Sequence, residues 1–197
     1  MDLNGQKALL LGALGRAGTA VARKFCEEGA SVVLSARRED EGAHLTAELR
    51  DAGFAHFIVD AGGDLVLSGS RGGTPWNIGV RHPRSVQLLA TARLAGCAIA
   101  TSGDYEQYFV ADGVRYGHII DPRTGWPTRE VASVVVVAPR GADADALATG
   151  LFVLGPDQGL ALVEKITSVD ALFVMGDGDV HSSTGLSLQG DTMEWIE

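Results

Sequence analysis

One run of residues, Tyr116-Gly117-His118-Ile119-Ile120-Asp121-Pro122-Arg123-Thr124-Gly125, sets an imidazole, a carboxylate, a guanidinium and a hydroxyl between two glycines. Such groups can move a proton, pair with phosphate oxygens and accept backbone hydrogen bonds. Pro122 fixes its own φ and biases Asp121 toward an extended shape, while the glycines permit close backbone approach. The stretch predicts a polar loop built to hold something around an apolar Ile119-Ile120 centre. Its bland counterpart is a solvated turn with a stray histidine.

A second pair of oxygens sits at helical spacing. Asp145 and Thr149 are four apart in Ala142–Leu154, a strong helix former, so both leave one helix face. A carboxylate plus a hydroxyl is a hard, all-oxygen pair suited to Mg²⁺, which keeps waters and is completed by substrate phosphates. The alternative is an aspartate helping the helix dipole near the N-terminus, with Thr149 facing a core.

A third candidate lies near the start. Gly12, Gly15 and Gly18 follow a short apolar strand, Lys7–Leu11, and open a helix running to about Glu28. In that context a G-x-x-G-x-x-G lets the backbone approach a pyrophosphate at the helix's positive end. After a second strand, Ser31–Ser35, come Arg37 and Arg38 with no acidic residue to take a ribose diol, which suits a 2′-phosphate and hence NADP. Hydride-transfer chemistry finds no support further on. Tyr105, Tyr108 and Tyr116 are followed four residues later by Phe109, Asp112 and Ile120, so no Tyr-x-x-x-Lys pair exists. The alternative is a βαβ unit whose glycines serve packing alone.

The elements that must position these groups follow from periodicity and turn signals. Gly29 ends the first helix, which carries Val21 and Phe25 on one face; a second, roughly Asp40–Ala52, carries Leu45 and Leu49. Strands are expected at His56–Asp60, Leu65–Ser68, Trp76–Val80 and Cys97–Thr101, with an irregular segment after Arg81-His82-Pro83. Gln107–Val110 and Val114–His118 form a hairpin about Asp112-Gly113, a type I′ turn sequence. Val131–Ala138 is a β-branched central strand. The helix over 142–154 ends at Gly155-Pro156 and a second runs over Asp157–Ile166. Ala171–Met175 is the last core strand, and the tail from Gly176 is an edge hairpin. The fold class is α/β, becoming α+β in its second part. A Rossmann-like β-α-β-α start (residues 1–54) joins a mixed sheet with helices (55–197), packed as one continuous layered domain.

Composition sets the bounds. At 197 residues, 46% apolar and 21% charged, the chain can bury a sizeable core. A formal charge of −9 argues against a general nucleic-acid or anionic-membrane binder, though local donors can still hold a phosphate. Cys26 and Cys97 are far apart, without a C-x-x-C, and read as buried thiols. The first residues lack a signal-peptide pattern and no apolar run approaches ~20 residues, so the expectation is a cytoplasmic protein that does not span a membrane.

Four motifs occur in a familiar order: Asp60-Ala61-Gly62-Gly63-Asp64, Thr101-Ser102-Gly103-Asp104-Tyr105, the loop over 116–125, and Ala144-Asp145-Ala146-Leu147-Ala148-Thr149. From about residue 55 to about 176 the chain resembles the carboxy-terminal half of the FAD:protein FMN transferases, the ApbE-type flavin transferases. The resemblance implies that Asp145 and Thr149 are magnesium ligands, with the metal bridging the pyrophosphate of FAD. The FMN phosphoryl group passes to a Thr or Ser hydroxyl of a flavin-accepting protein, and AMP leaves. His118 matches the histidine beside that pyrophosphate, where it either takes the hydroxyl proton or orients a phosphate oxygen. Ile119, Asp121 and Arg123 line the ligand site or fix its loop. Asp104 and Tyr105 match a family motif without a catalytic step assigned to them, and Asp64 reads as structural.

The departures are equally specific. The family's amino-terminal half, which supplies much of the flavin pocket, and its Lys-Gly segment ahead of the Gly-Gly-Asp strand are not recognisable. Residues 3–54 instead resemble the opening of short-chain dehydrogenases or methylene-tetrahydromethanopterin dehydrogenases, with Arg16 where a glycine is usual. Many members of the flavin transferase family are exported lipoproteins, so a cytoplasmic chain departs from them too. The expected function is Mg²⁺-dependent flavin transfer from FAD, or its impaired remnant, an FAD pyrophosphatase. The alternatives are an NADP-binding oxidoreductase-like module and a non-catalytic chimeric scaffold.

Overall fold

The computed structural model describes residues 7–11, 16–36, 39–51 and 53–195, with side chains from residue 20 onward except at 31, 33–36, 39–43 and 45. The chain opens with β1 (Lys7–Leu11), α1 (Arg16–Glu27), β2 (Ser31–Ala36) and α2 (Glu39–Asp51). Next come β3 (Phe57–Ala61), β4 (Asp64–Ser68), β5 (Trp76–Arg81), β6 (Leu88–Leu94) and β7 (Ala98–Gly103). The loop region holds the hairpin β8 (Tyr108–Ala111) and β9 (Val114–Gly117), then the short pair β10 (Ile120–Asp121) and β11 (Trp126–Pro127). The last part is β12 (Val131–Ala138), α3 (Gly141–Val163), β13 (Asp170–Met175), β14 (Val180–Ser182), β15 (Leu186–Gln189) and β16 (Thr192–Trp195).

Eight strands form one sheet in the order β1-β2-β3-β4-β7-β12-β13-β14. β1, β2 and β3 are mutually parallel, as two βαβ crossovers require, and every later pairing is antiparallel. The sheet runs unbroken past residue 55, since β2 pairs with β3 from Val32↔Phe57 to Ala36↔Ala61. The period-two side-chain alternation gives the sheet two apolar faces. One turns Val134, Val136, Ala171 and Phe173 toward α3, whose Ala144, Ala148, Leu151 and Phe152 are buried there. The other turns Leu67, Ile99, Val135 and Leu172 toward a four-stranded sheet, β15-β16-β6-β5. All eight residues of β12 are buried, as befits a strand covered on both faces. Under α1 and α2 lies a third cluster of Ala22, Val32, Leu49, Phe57 and Val59; Val66 packs against both this cluster and that of α3.

Several expectations about the elements hold and others change. The hairpin turn is as read, with Asp112 at φ 51° and Gly113 at φ 76°, the two positive values a type I′ turn needs. The helix break at Gly155-Pro156 is present: Gly155 adopts φ 77°, ψ 174° and Pro156 restarts the helix. Neither Cys26 nor Cys97 is in a disulfide; Cys97 is buried and Cys26 only partly so. On α1 the buried face is not that of Val21, which is 42% exposed, but of Ala22 with Phe25 and Cys26 beside it. Residues 88–94 are not irregular but form β6, paired to both β5 and β16. Alanines at 90 and 92 masked the strand, because their β-propensity is low although both are buried. The tail also continues further than expected. β14 extends the large sheet, but the β15–β16 hairpin crosses to the small sheet, where β16 pairs parallel with β6. α3 has the length and apolarity of a spanning helix, with mean hydropathy 1.4 over its most apolar window. It is kinked at Gly155, and its Ala144, Ala148, Leu151 and Phe152 are buried against the sheet.

Candidate functional site

The loop over 116–125 is assembled from its own backbone outward. Gly117 leaves room for Asp104: a Cβ there would stand 3.2 Å from that of Asp104. The backbone N–H of His118 donates to the Gln107 carbonyl at 3.1 Å, and Nδ1 lies 3.2 Å from the same oxygen. A carbonyl oxygen can only accept, so Nδ1 carries the hydrogen of this bond, which leaves Nε2 of the exposed ring as the nitrogen that can exchange a proton. Ile119 points the other way: it is 8% exposed and belongs to the same buried cluster as Ala144 and Ala148 of α3. Its carbonyl accepts from the N–H of Thr128, and Gly125 N–H closes the turn on the Asp121 carbonyl at 2.8 Å.

Arg123 fixes the far end of the loop. Its Nε and Nη2 each donate to the Asp121 carboxylate at 2.9 Å, and Nη2 also reaches the Val153 carbonyl at 3.2 Å. That carbonyl belongs to the last turn before the helix break, where intrahelical donors run out. The Arg123 guanidinium, helped by its own backbone N–H, holds the Asp121 carboxyl below its usual range. Asp121 and Arg123 line a cleft of about 510 Å³ with Trp126, Arg129, Glu130 and Val153. His118, Ile119, Asp145 and Thr149 are not among its lining residues.

Asp145 and Thr149 occupy successive turns of α3. The Thr149 Oγ1 is 3.0 Å from the Oγ of Ser102, a buried residue of β7. Asp145 is partly buried and, among the described residues, its carboxylate has no hydrogen-bond or ion-pair partner. Among the described residues no group of three or more His, Cys, Asp or Glu could hold a metal. The available donor set is thus one carboxylate and one hydroxyl. It is too small for a closed cage, and it fits Mg²⁺, which binds through few protein oxygens and leaves the rest to water and phosphate.

Around this centre the structure adds residues the sequence did not single out. Arg84 grips the buried Asp104 with both terminal nitrogens, at 2.5 and 2.7 Å, and Arg115 approaches the same carboxylate at 3.8 Å. The bonds to Asp104 push the Arg84 guanidinium's pKa further up. Arg115 also stands 4.0 Å from the Tyr108 ring centroid. Asp104 therefore joins the end of β7, through Arg115, to the β8–β9 hairpin that follows Gln107. Burial, then the neighbouring Glu106 charge, raise the Tyr105 phenol. No local pattern marks Arg84, twenty residues from its partner. Ser102 lies within the Thr101–Tyr105 motif, where nothing in the local sequence gives it a role.

The glycine-rich candidate falls largely on residues that are not described. Gly12, Gly15 and Arg37 lie outside the described residues, and Gly18 sits within α1. β1 is an edge strand of the sheet. The Gly62-Gly63 step is the turn between β3 and β4, with the Gly63 N–H on Asp60 at 2.8 Å, and Asp64 opens β4.

Comparison with known proteins places this geometry. The FAD:protein FMN transferase of Treponema pallidum is 42% identical over 156 residues, covering 72% of this chain and 41% of that protein. The FAD:protein FMN transferase of Vibrio cholerae is 44% identical over 140 residues, 68% of this chain and 41% of its own length. Among solved structures, the ApbE protein of Thermotoga maritima superposes with a TM-score of 0.67 at 37% identity, covering 74% of this chain and 48% of that one. The flavin transferase ApbE of Vibrio cholerae gives 0.62 at 38%, covering 73% and 47%. The chain spans less than half the length of each of these relatives. The sequence profile of the ApbE family matches residues 42–173, beginning within α2 and ending within β13, and the chain therefore belongs to the ApbE family.

Proposed function

We propose that this chain carries the metal- and pyrophosphate-handling part of an FAD:protein FMN transferase. The observation that carries the reading is the double tie between the 116–125 loop and α3. Ile119 is buried in the cluster of Ala144 and Ala148, and Arg123 holds the Val153 carbonyl. His118 adjoins the first anchor from the loop side; Asp145 and Thr149 follow Ala144 and Ala148 from the helix side. The loop that carries the imidazole and the helix that carries the oxygen pair thus share one buried cluster. The relatives' names supply FAD as donor and a protein as acceptor.

Mg²⁺ held by Asp145 and Thr149 would offset charge on the pyrophosphate oxygens of FAD. Asp145 contributes the formal charge and Thr149 a neutral oxygen. His118 accepts at Nε2 the proton of an acceptor Ser or Thr hydroxyl as that oxygen bonds to the FMN-side phosphorus. The bond from this phosphorus to the bridging oxygen breaks, and AMP leaves with the electron pair. The Nδ1–H bond to Gln107 keeps the ring in the tautomer this needs. Asp121 and Arg123 fix the loop instead of doing chemistry, since each already occupies the other. With water in place of the acceptor the same arrangement hydrolyses FAD to FMN and AMP.

The test is incubation of the chain with FAD, Mg²⁺ and a Thr-bearing acceptor peptide, followed by mass spectrometry of the peptide and measurement of AMP. An FMN–peptide adduct with stoichiometric AMP is the expected result. AMP without adduct identifies the pyrophosphatase remnant. Neither product, together with no Mg²⁺-dependent FAD binding, refutes the reading.

A further inference from the structure

Ser102 is buried at the end of β7, 8% exposed, yet its hydroxyl reaches across to α3 and meets the Thr149 Oγ1 at 3.0 Å. Its strand thereby meets one member of the proposed oxygen pair, Thr149. We propose that Ser102 is a positioning residue for the metal: its Oγ takes the Thr149 hydroxyl hydrogen and so fixes the rotor with the Thr149 lone pairs left free, one of them for the cation. This rests on the Asp145–Thr149 metal reading and goes beyond it by assigning a third residue.

The argument is one of counting. A hydroxyl has one hydrogen and two lone pairs. If Ser102 donated to Thr149, one of the two lone pairs would be spent. If Thr149 donates to Ser102, both remain, and its rotor is fixed at the same time. Without a cation either direction satisfies the pair. A divalent ion on Oγ1 draws electron density from the hydroxyl and strengthens its hydrogen as a donor, so binding selects the second direction. The rest of the site cannot supply this orientation. Among the described residues Asp145 has no partner, and Thr149 is an exposed residue on a helix surface, free to rotate but for Ser102. Groups that orient metal ligands from behind typically matter by ten- to a hundred-fold in affinity.

The test uses Mn²⁺ as a spectroscopic stand-in, its binding followed by electron paramagnetic resonance in the presence of FAD, on the full chain. Asp145→Ala should lose binding, and Ser102→Ala should weaken it ten-fold or more. Thr149→Val should weaken it as well, and Ser102→Ala added to Thr149→Val should cost less than two-fold further, because Ser102 acts only through that hydroxyl. Unchanged thermal midpoints in Ser102→Ala show that the fold is intact. If the wild type binds, Asp145→Ala does not, and Ser102→Ala binds within two-fold of wild type, the role of Ser102 is overturned while the metal reading stands. If Ser102→Ala costs as much in the Thr149→Val background, it acts by another route and the proposal also fails. If Asp145→Ala binds like the wild type, or the wild type does not bind, the metal reading itself is wrong and this inference with it.

Discussion

The amino-terminal β-α-β-α run and the α3–loop assembly both offer glycines and charge where a pyrophosphate could sit, but they differ in what surrounds the offer. In a doubly wound sheet a nucleotide lies in the crevice where strand order reverses beside the first strand. Here β1, β2 and β3 follow one another in a single direction, and among the described residues β1 is the edge, with no reversal of strand order beside it. The α3–loop assembly has the opposite character. Ile119, Arg123 and Ser102 tie the loop, the helix and the sheet together. A binding motif is only as good as the second element that closes on it.

The largest expected effect sharpens that comparison at α3. Asp145→Ala should reduce Mg²⁺-dependent release of AMP from FAD to the metal-free rate, because a lone threonine hydroxyl cannot hold Mg²⁺. The thermal midpoint should not move, since the carboxylate has no protein partner to lose among the described residues. A mutant with full turnover would place the metal elsewhere.

Next in size is His118→Asn, which keeps the backbone bond to Gln107 but removes the Nε2 base. A general base typically contributes about 10²–10⁴-fold, so AMP release should fall by that much while Mn²⁺ affinity is unchanged. Equal losses in rate and in FAD affinity would make His118 an orienter of phosphate instead.

How far these residues were legible from the sequence differs by kind. β12, the Asp112-Gly113 turn and the break at Gly155 follow from local rules: β-branching, a turn dipeptide, a glycine before a proline. Asp145 with Thr149 was visible from a four-residue spacing. Ser102 and Arg84 were not, because their partners stand 47 and 20 residues away and no periodicity records a contact made by tertiary packing. β6 failed for a related reason. Its buried positions are alanines, chosen by the space beneath the small sheet and not by strand preference. The β15–β16 crossing likewise depends on Asp170, which accepts from Ser183 at 2.6 Å and from the Trp195 indole at 2.7 Å.

A smaller effect tests the Asp121–Arg123 anchor. Arg123 depresses the Asp121 pKa in the folded loop, so its contribution is full above the ordinary carboxylate range and is lost as pH falls through the depressed value. An NMR titration of the Asp121 carboxyl carbon should show a midpoint below about 3.9, and Arg123→Ala should return it toward that figure. An unchanged midpoint would mean the pair does not persist in solution.

The smallest expected effect falls on the other side of the comparison. If the glycine turn bound NADPH, Arg37 would read the 2′-phosphate through charge-assisted hydrogen bonds, each worth ~1.5–3 kcal/mol. Arg37→Ala would then weaken NADPH by ten-fold or more and leave NADH alone, about 1.4 kcal/mol per decade. The edge position of β1 argues for a different outcome. Among the described residues no strand lies beyond it, and the sheet continues instead into β3 and β4 on the far side of β2. Fluorescence titration should therefore show no micromolar binding of either cofactor to the wild type, and Arg37→Ala should change nothing. Micromolar NADPH affinity that drops on the substitution would show that this edge is closed in solution by something else, and would restore the amino-terminal unit as a binding site in its own right.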